Sequence, residues 1–404
     1  MTRFHHGWLI AAVIFMTFAL TIGITQYSFG VFVTELEGDL GWNRAQLNGT
    51  LTLFAVGGLL APFVGRLIDR HGARPVMIAS FALLAASNLG RPFVNELWQF
   101  YALSLLQFMA IPGTIMLPAG KLISIWFPHA RGRAMGFASM GANVGGATFS
   151  ALSAALIASI GWRATYAVYG GLFLLAIPVI ALVIREDGRE SRSAATAALA
   201  EVGMTTRQAL RSRAFYVIVL SLTLAQLTYL SVLTQIVPHL ENVGFDRGTA
   251  ATGVAAMAIF GAVGKVSFGW LTEHVPGRFV MMLSLGMQAV GLGILTAAGD
   301  SMIIWSFIPI FGLGFGALGA LMTLLVQETF GVREFATIFG LVNFFTQGAS
   351  IVGPPLVGAS FEATGSYSSA FAVIATLFIV GAVILFFATP PRTRTTAADP
   401  VAAG

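Results

Sequence analysis

A chain of 404 residues that is 56% apolar and only 10% charged lies far from the quarter or so of charged residues typical of soluble domains. Soluble, disordered and fibrous classes are excluded. Twelve membrane crossings at about 20 residues each would use about 240 residues, close to the apolar content. The net charge of +5 sits in short gaps between apolar runs, where it sets membrane orientation, so no nucleic-acid partner is read from it. The absence of cysteine removes disulfides, thiolate metal sites and iron–sulfur clusters.

In chain order, charge-poor stretches bounded by charges or Gly/Pro turns predict spans at 8–33, 46–65, 75–94, 98–125, 134–158, 164–184, 214–237, 249–270, 279–298, 302–326, 336–359 and 367–389. Each must be helical, because a spanning segment has to satisfy its backbone groups internally. The first run is too long for a secretory signal and has no small-residue cleavage site. With the N-terminus inside, the inner loops hold Arg66, Arg70, Arg74, Arg131, Arg133, Arg278 and Arg333. Arg3, six arginines of 185–213, Arg392 and Arg394 join them, and the outer loops hold only Arg44, Arg91, Arg163 and Arg247. Sixteen arginines against four is a positive-inside bias. It predicts a multi-pass protein of the inner (cytoplasmic) membrane with both termini in the cytoplasm. The expected organisation is a six-helix bundle over 1–184, a cytoplasmic linker over 185–213 with a surface helix at 197–212, a second bundle over 214–390, and a cytoplasmic tail over 391–404.

The two halves repeat. Gly65, Leu67, Asp69 and Arg74 recur as Gly269, Leu271, Glu273 and Arg278 at an offset of 204; Gly136, Asn143 and Gly161 recur as Gly340, Gln347 and Gly365 at the same offset. Gly41-Trp42-Asn43-Arg44 recurs as Gly244-Phe245-Asp246-Arg247 at 203. Parallel repeats build transporters whose substrate site lies near mid-membrane between rocking halves.

The stretch Gly65-Arg66-Leu67-Ile68-Asp69-Arg70-His71-Gly72-Ala73-Arg74 resembles the signature loop between helices 2 and 3 of the major facilitator superfamily. Trp126 through Gly136, Gly161-Trp162-Arg163 and Pro238-His239-Leu240 through Gly244 resemble segments of the bacterial monocarboxylate porter and oxalate–formate antiporter family. The resemblance implies an all-α fold of twelve transmembrane helices in two pseudo-symmetric bundles, and a cavity lined by spans 1, 4, 7 and 10.

Charge inside a membrane marks function by default, and Lys121 and Lys265 are the candidates. Lys265 lies eight residues before Glu273, about 12 Å along a helix. That is beyond the reach of a lysine stem, so the ammonium should face a wet cavity and serve as counter-ion to an anionic substrate; a snorkelling or paired lysine is the alternative. The resemblance implies a substrate-binding arginine at this position, and lysine lacks its planar fork. Lys121 lies five residues from Trp126, about 7.5 Å; headgroup anchoring is weighed above substrate contact there. Cavity candidates at helical spacing are Thr17, Thr21, Thr25 and Ser28; Gln226, Tyr229 and Leu233; and Asn343 with Gln347. The resemblance adds Tyr27 and Phe315. For each of these, ordinary helix packing is the competing account. In the loop 65–74, Asp69 flanked by Arg70 and Arg74 reads as a conformational latch, which the resemblance also implies.

No Asp, Glu or His is predicted in the middle of a span, and Gly261 stands where the resembling family often carries a proton-coupling acid. Either Lys265 takes the proton itself or transport proceeds by exchange with a counter-anion or by facilitated diffusion. No metal-ligand cluster, catalytic dyad or phosphate loop is found, so no cofactor and no enzymatic reaction are expected. The resulting expectation is a secondary transporter carrying a small organic anion, a monocarboxylate by resemblance, by alternating access. An exporter of drug-like amphiphiles is disfavoured by Ala142 where that group's motif has proline. A non-transporting ligand sensor is the third reading.

Overall fold

The computed structural model describes residues 3–185, 203–297 and 305–388, and the chain crosses the molecule as one helix after another. We number the spans α1 (His6–Val33), α2 (Gln46–His71), α3 (Ala73–Phe93) and α4 (Leu97–Trp126). The continuous run Arg131–Val183 breaks at Gly161, where φ is 79°, a left-handed conformation that glycine adopts without steric cost. It therefore supplies two spans, α5 (131–160) and α6 (162–183). There follow α7 (Arg213–Val243), α8 (Arg247–Leu271), α9 (Gly277–Ala297), α10 (Phe307–Phe330), α11 (Phe335–Thr364) and α12 (Ser368–Phe386). The twelve predicted spans are present among the described residues. Gly365, the repeat mate of Gly161, ends α11 with φ 68°.

The core is largely apolar, as in a soluble protein, but the surface is apolar too and some polar groups are buried. Phe63 is 70% and Leu182 73% exposed, whereas Ser87, Asn88, Ser284 and Gln288 are fully buried. Lipid tails solvate apolar side chains as well as the protein interior does, so association rests on close backbone packing and on polar contacts within the bundle. Gly141 and Gly145 of α5 leave no room for side chains against the α1 backbone at Phe15 and Ala19. Gly312 and Gly316 of α10 stand in the same relation to Met257 and Gly261 of α8.

Among the contacts between the halves of the chain, two crossings are related by the sequence repeat. At α2–α11, Gly65 meets the Ala336 carbonyl and Gly340 meets that of Ala61; at α5–α8, Gly269 meets Gly132 and Gly136 meets the carbonyl of Lys265. An offset of 204 carries each contact of the first crossing onto one of the second.

The structure departs from expectation in four places. The α1 helix is interrupted by a π turn at Gly23–Tyr27, where the Ser28 amide donates to the Gly23 carbonyl at 3.0 Å. The α2 helix runs on through the signature loop to His71 and ends at Gly72, φ 95°. Arg91, expected in an outer loop, is 4% exposed, with its guanidinium 5.1 Å from the Phe100 ring and 4.7 Å from that of Tyr166. In the described part of the surface helix expected at 197–212, residues 203–212, helix forms over Thr206–Arg211, capped by Thr205; residues 186–202, like the tail 391–404, lie outside the described residues.

Candidate functional site

The α8 helix brings Lys265 against α5, and the ammonium crosses to the other half of the chain. Its Nζ donates to the Ser139 carbonyl at 3.1 Å and to Asn143 Oδ1. Asn143 returns the contact through Nδ2, which donates to the Ala258 carbonyl at 3.1 Å. Ser139 and Asn143 lie 8 and 12 residues from the start of α5 at Arg131, about 12 and 18 Å along its axis. The amine of a residue about 9 Å from its own helix end therefore reaches toward mid-span. Cα–Cβ bonds tilt toward the helix N-terminus, and the N-terminus of α8 is the far end. Snorkelling toward the near end is not what this side chain does.

Two of the three ammonium donors are taken by α5, contacts that the sequence did not disclose. Both acceptors are neutral, and among the described residues no carboxylate pairs with Lys265. One turn beyond Asn143, Gly146 carries the ring of Tyr27 in close contact, about 4.5 Å further along α5. Tyr27 closes the π turn of α1 and is 50% exposed. Lys265, Asn143 and Tyr27 thus form a group drawn from three helices.

The other candidates fall elsewhere. Lys121 is paired with Asp69 at 2.8 Å, and both side chains are largely buried. The ion pair, which neither substrate contact nor headgroup anchoring anticipated, occupies the amine. Asp69 Oδ2 also accepts from the amide and the hydroxyl of Thr337, each at 2.8 Å, and so caps the first turn of α11, where unpaired amides and the helix dipole favour an anion. Asp69, the expected latch residue, thus bonds Lys121 and Thr337, while Arg70 and Arg74 are exposed at the surface. Glu273, the mate of Asp69, accepts from the Arg133 amide at 2.9 Å and from Arg133 Nε at 2.8 Å. Arg133 is the mate of Thr337, so the capping contact is also duplicated. Glu334, just before α11, accepts from the amide and hydroxyl of Thr206, each at 2.6 Å. Burial pushes its carboxyl up, but these bonds and the charges of Arg333 and Arg66 outweigh it and hold the group below the usual range.

Asn343 and Gln347 lie at the α2–α11 crossing, where Gln347 packs on Gly58. Phe315 stacks on Phe311 at 5.5 Å within the second half. Gln226 is half-buried on α7, and the side chains of Tyr229 and Leu233 lie outside the described residues. Thr17, Thr21, Thr25 and Ser28 are buried. Thr17 and Thr25 bond the preceding turn of their own helix, and Ser28 bonds the Phe149 carbonyl at 3.1 Å. A recess of about 500 Å³ lies between α8 and the start of α10, lined by Asp246, Thr249, Thr252 and Trp305 among others. Its floor at Ala256 is nine residues from Lys265, about two and a half turns, so it opens on the opposite face of α8 and its carboxylate has the wrong sign for an anion.

Ser139 and Asn143 were not singled out from the sequence as site residues. The legible signal was the pairing of Asn143 with Gln347 in the repeat. Their neighbourhood to Lys265, across 122 and 126 positions, could not be read.

The fold and the repeat-related crossings agree with what comparison with known proteins gives. A sequence profile of the Major Facilitator Superfamily matches residues 8–354 and 231–402. The chain belongs to that superfamily. Among similar proteins, monocarboxylate transporter 13 of Rattus norvegicus is 26% identical over 383 residues, covering 94% of this chain and 88% of that one. The oxalate:formate antiporter of Oxalobacter formigenes is 25% identical over 387 residues, covering 94% and 90%. The fold matches the E. coli fucose:proton symporter at a TM-score of 0.70 and 13% identity, covering 96% and 100%. It also matches a proton:xylose symporter at 0.75 and 14%, covering 96% and 97%. As a superfamily member the protein is a multi-pass membrane transporter and not an enzyme.

Proposed function

We propose that this superfamily member is a secondary transporter that moves a small organic anion, of the monocarboxylate class, by alternating access of its two halves. The single observation that carries the reading is Lys265: a cation reaching toward mid-span, at a crossing between the halves, with only neutral acceptors around it among the described residues. An ammonium held in that setting costs several kcal/mol unless a counter-charge arrives, and an anionic cargo supplies one. The superfamily membership, and the names of the monocarboxylate and oxalate:formate relatives, support the same substrate class.

The site residues we assign to the anion are Lys265, with Tyr27 as a neighbouring wall. Tyr229, Gln226 and Phe315 remain candidates for the rest of the lining, and Asn343 and Gln347 belong to the opposite crossing. Asp69 serves as the latch that holds one end closed, with Lys121 as its partner. We further propose that the arginine-rich end is cytoplasmic, on the strength of the sixteen-to-four distribution, and that residues 1–184 and 214–390 are the rocking bundles. The duplicated caps, Asp69 on Thr337 and Glu273 on Arg133, fit a conformation closed at that end.

Uptake of radiolabelled lactate or oxalate into proteoliposomes tests the assignment. Wild type is expected to accumulate label, and Lys265→Ala to fall to the background of empty liposomes with its fold intact. Undiminished uptake by Lys265→Ala would remove the counter-ion role. Lys265→Arg keeps the charge and adds the bidentate fork, and should retain uptake with an equal or lower KM.

A further inference from the structure

Lys265 is bound by two groups of different kinds. The Ser139 carbonyl is part of the α5 backbone and cannot leave, whereas the Asn143 amide sits on a rotatable side chain. The Asn143 contact runs both ways: Oδ1 receives the ammonium of α8 and Nδ2 donates to the Ala258 carbonyl of α8. One side chain thereby ties α5 to α8 at two heights, Ala258 and Lys265, seven residues apart, or about 10 Å. The repeat-related crossing carries Ala61 and Gln347 at the corresponding positions, so a cation bridges only one of the two crossings.

Resting on the reading of Lys265 as the anion receptor, we propose that Asn143 is the positioning residue that holds the ammonium in the empty carrier and surrenders it to the incoming carboxylate, so that substrate binding and loosening of the α5–α8 crossing are one event. The third ammonium donor, which no contact among the described residues occupies, makes the first contact with the anion. A carboxylate is a stronger acceptor for an ammonium than a neutral amide, so exchange of Asn143 Oδ1 for a substrate oxygen runs downhill. Once Oδ1 is released, nothing holds the amide against Ala258 except a single neutral bond, worth far less than a charge-assisted one. The neutrality of Asn143 is essential to this sequence of events. An aspartate here would hold Lys265 permanently, and an aliphatic residue would never hold it.

The chain has no cysteine, so a labelled pair can be introduced directly. His129→Cys and His274→Cys place spin labels on exposed residues at the facing ends of α5 and α8. In the full-length protein in nanodiscs, free of small carboxylates, electron–electron double resonance should give a short distance. Sodium lactate or sodium oxalate should add a longer population. With Asn143→Leu the longer population should be present before any anion is added. With Asn143→Asp the short distance should persist in either anion, and the KM for uptake should rise about tenfold or more. If the anions lengthen the distance in wild type and in both variants alike, the role given to Asn143 is overturned while Lys265 keeps its substrate. If neither anion alters wild type, the anion reading itself fails, and the proposal fails with it.

Discussion

Lys121 and Lys265 look alike in the sequence, as solitary lysines in apolar spans, and the structure separates them by their partners. Lys121 neutralises Asp69, whereas Lys265 meets only amide oxygens. Removing one partner of a largely buried pair leaves the other charge uncompensated, at a cost of about 3–5 kcal/mol when burial is complete and less for this partly exposed one. Lys121→Met should therefore lower turnover and thermal stability yet leave the KM for lactate or oxalate within about twofold; a KM raised tenfold with turnover intact would return Lys121 to the substrate. At the other end, the Asp39 carboxylate accepts from Trp162 Nε1 at 2.9 Å and from Arg163 Nη1 at 2.5 Å. The Trp162 bond, then the Arg163 bond and charge, hold the Asp39 carboxyl below its ordinary value despite opposing desolvation. A carboxyl lowered in this way stabilises the fold above the unfolded-state value of about 4, and that stabilisation is lost as pH falls through the lower folded value. Melting temperatures of wild type and Asp39→Asn should hence differ at pH 7 and converge as pH drops below about 4; a gap that widens on acidification would contradict the tie.

Helices were legible from the sequence because each span is an uninterrupted apolar run that the bilayer forces into internal hydrogen bonding. The repeat was legible because the same glycines must recur wherever backbones touch. The π turn at Gly23–Tyr27 left no such mark: Thr17, Thr21, Thr25 and Ser28 kept a helical spacing and read as one stripe, although the π turn lets Ser28 bond the Phe149 carbonyl of α5. The partners of Asp69 and Lys265 were hidden for another reason, since Thr337 and Asn143 lie 268 and 122 positions away and carry no charge pattern to announce them. Among the glycines the structure distinguishes contact from mere presence. Gly136 leaves no space against the Lys265 carbonyl, whereas Gly171 has nothing within 4 Å of where a side chain would begin. Gly171→Ala should be neutral or raise the melting temperature, since alanine favours helix by about 1 kcal/mol. Gly136→Leu should force α5 from α8, which the spin-label pair would report as a longer distance in the empty protein. An unchanged distance in Gly136→Leu would show that this crossing does not set the closed state.

For the whole molecule, the proposed carrier is held at its arginine-rich end by two duplicated carboxylate caps and nearer mid-span by one unduplicated lysine bridge. In the proposed mechanism it is the bridge that yields to an anion. A hydrogen bond to a charged group contributes about 1.5–3 kcal/mol, so the empty carrier should reorient roughly 10- to 150-fold more slowly than the loaded one. Efflux of labelled lactate or oxalate from preloaded proteoliposomes should then be accelerated about tenfold or more when the same unlabelled anion is supplied outside. Equal rates with and without external anion would count against the bridge.

Equilibrium binding tests the anion receptor without the complications of transport. Labelled oxalate and lactate should bind the purified wild type, and the Kd of Lys265→Ala should rise by about tenfold or more for loss of one charge-assisted contact, while Lys121→Met binds as wild type does. Equal affinity in wild type and Lys265→Ala would mean that the anion sits elsewhere in the molecule.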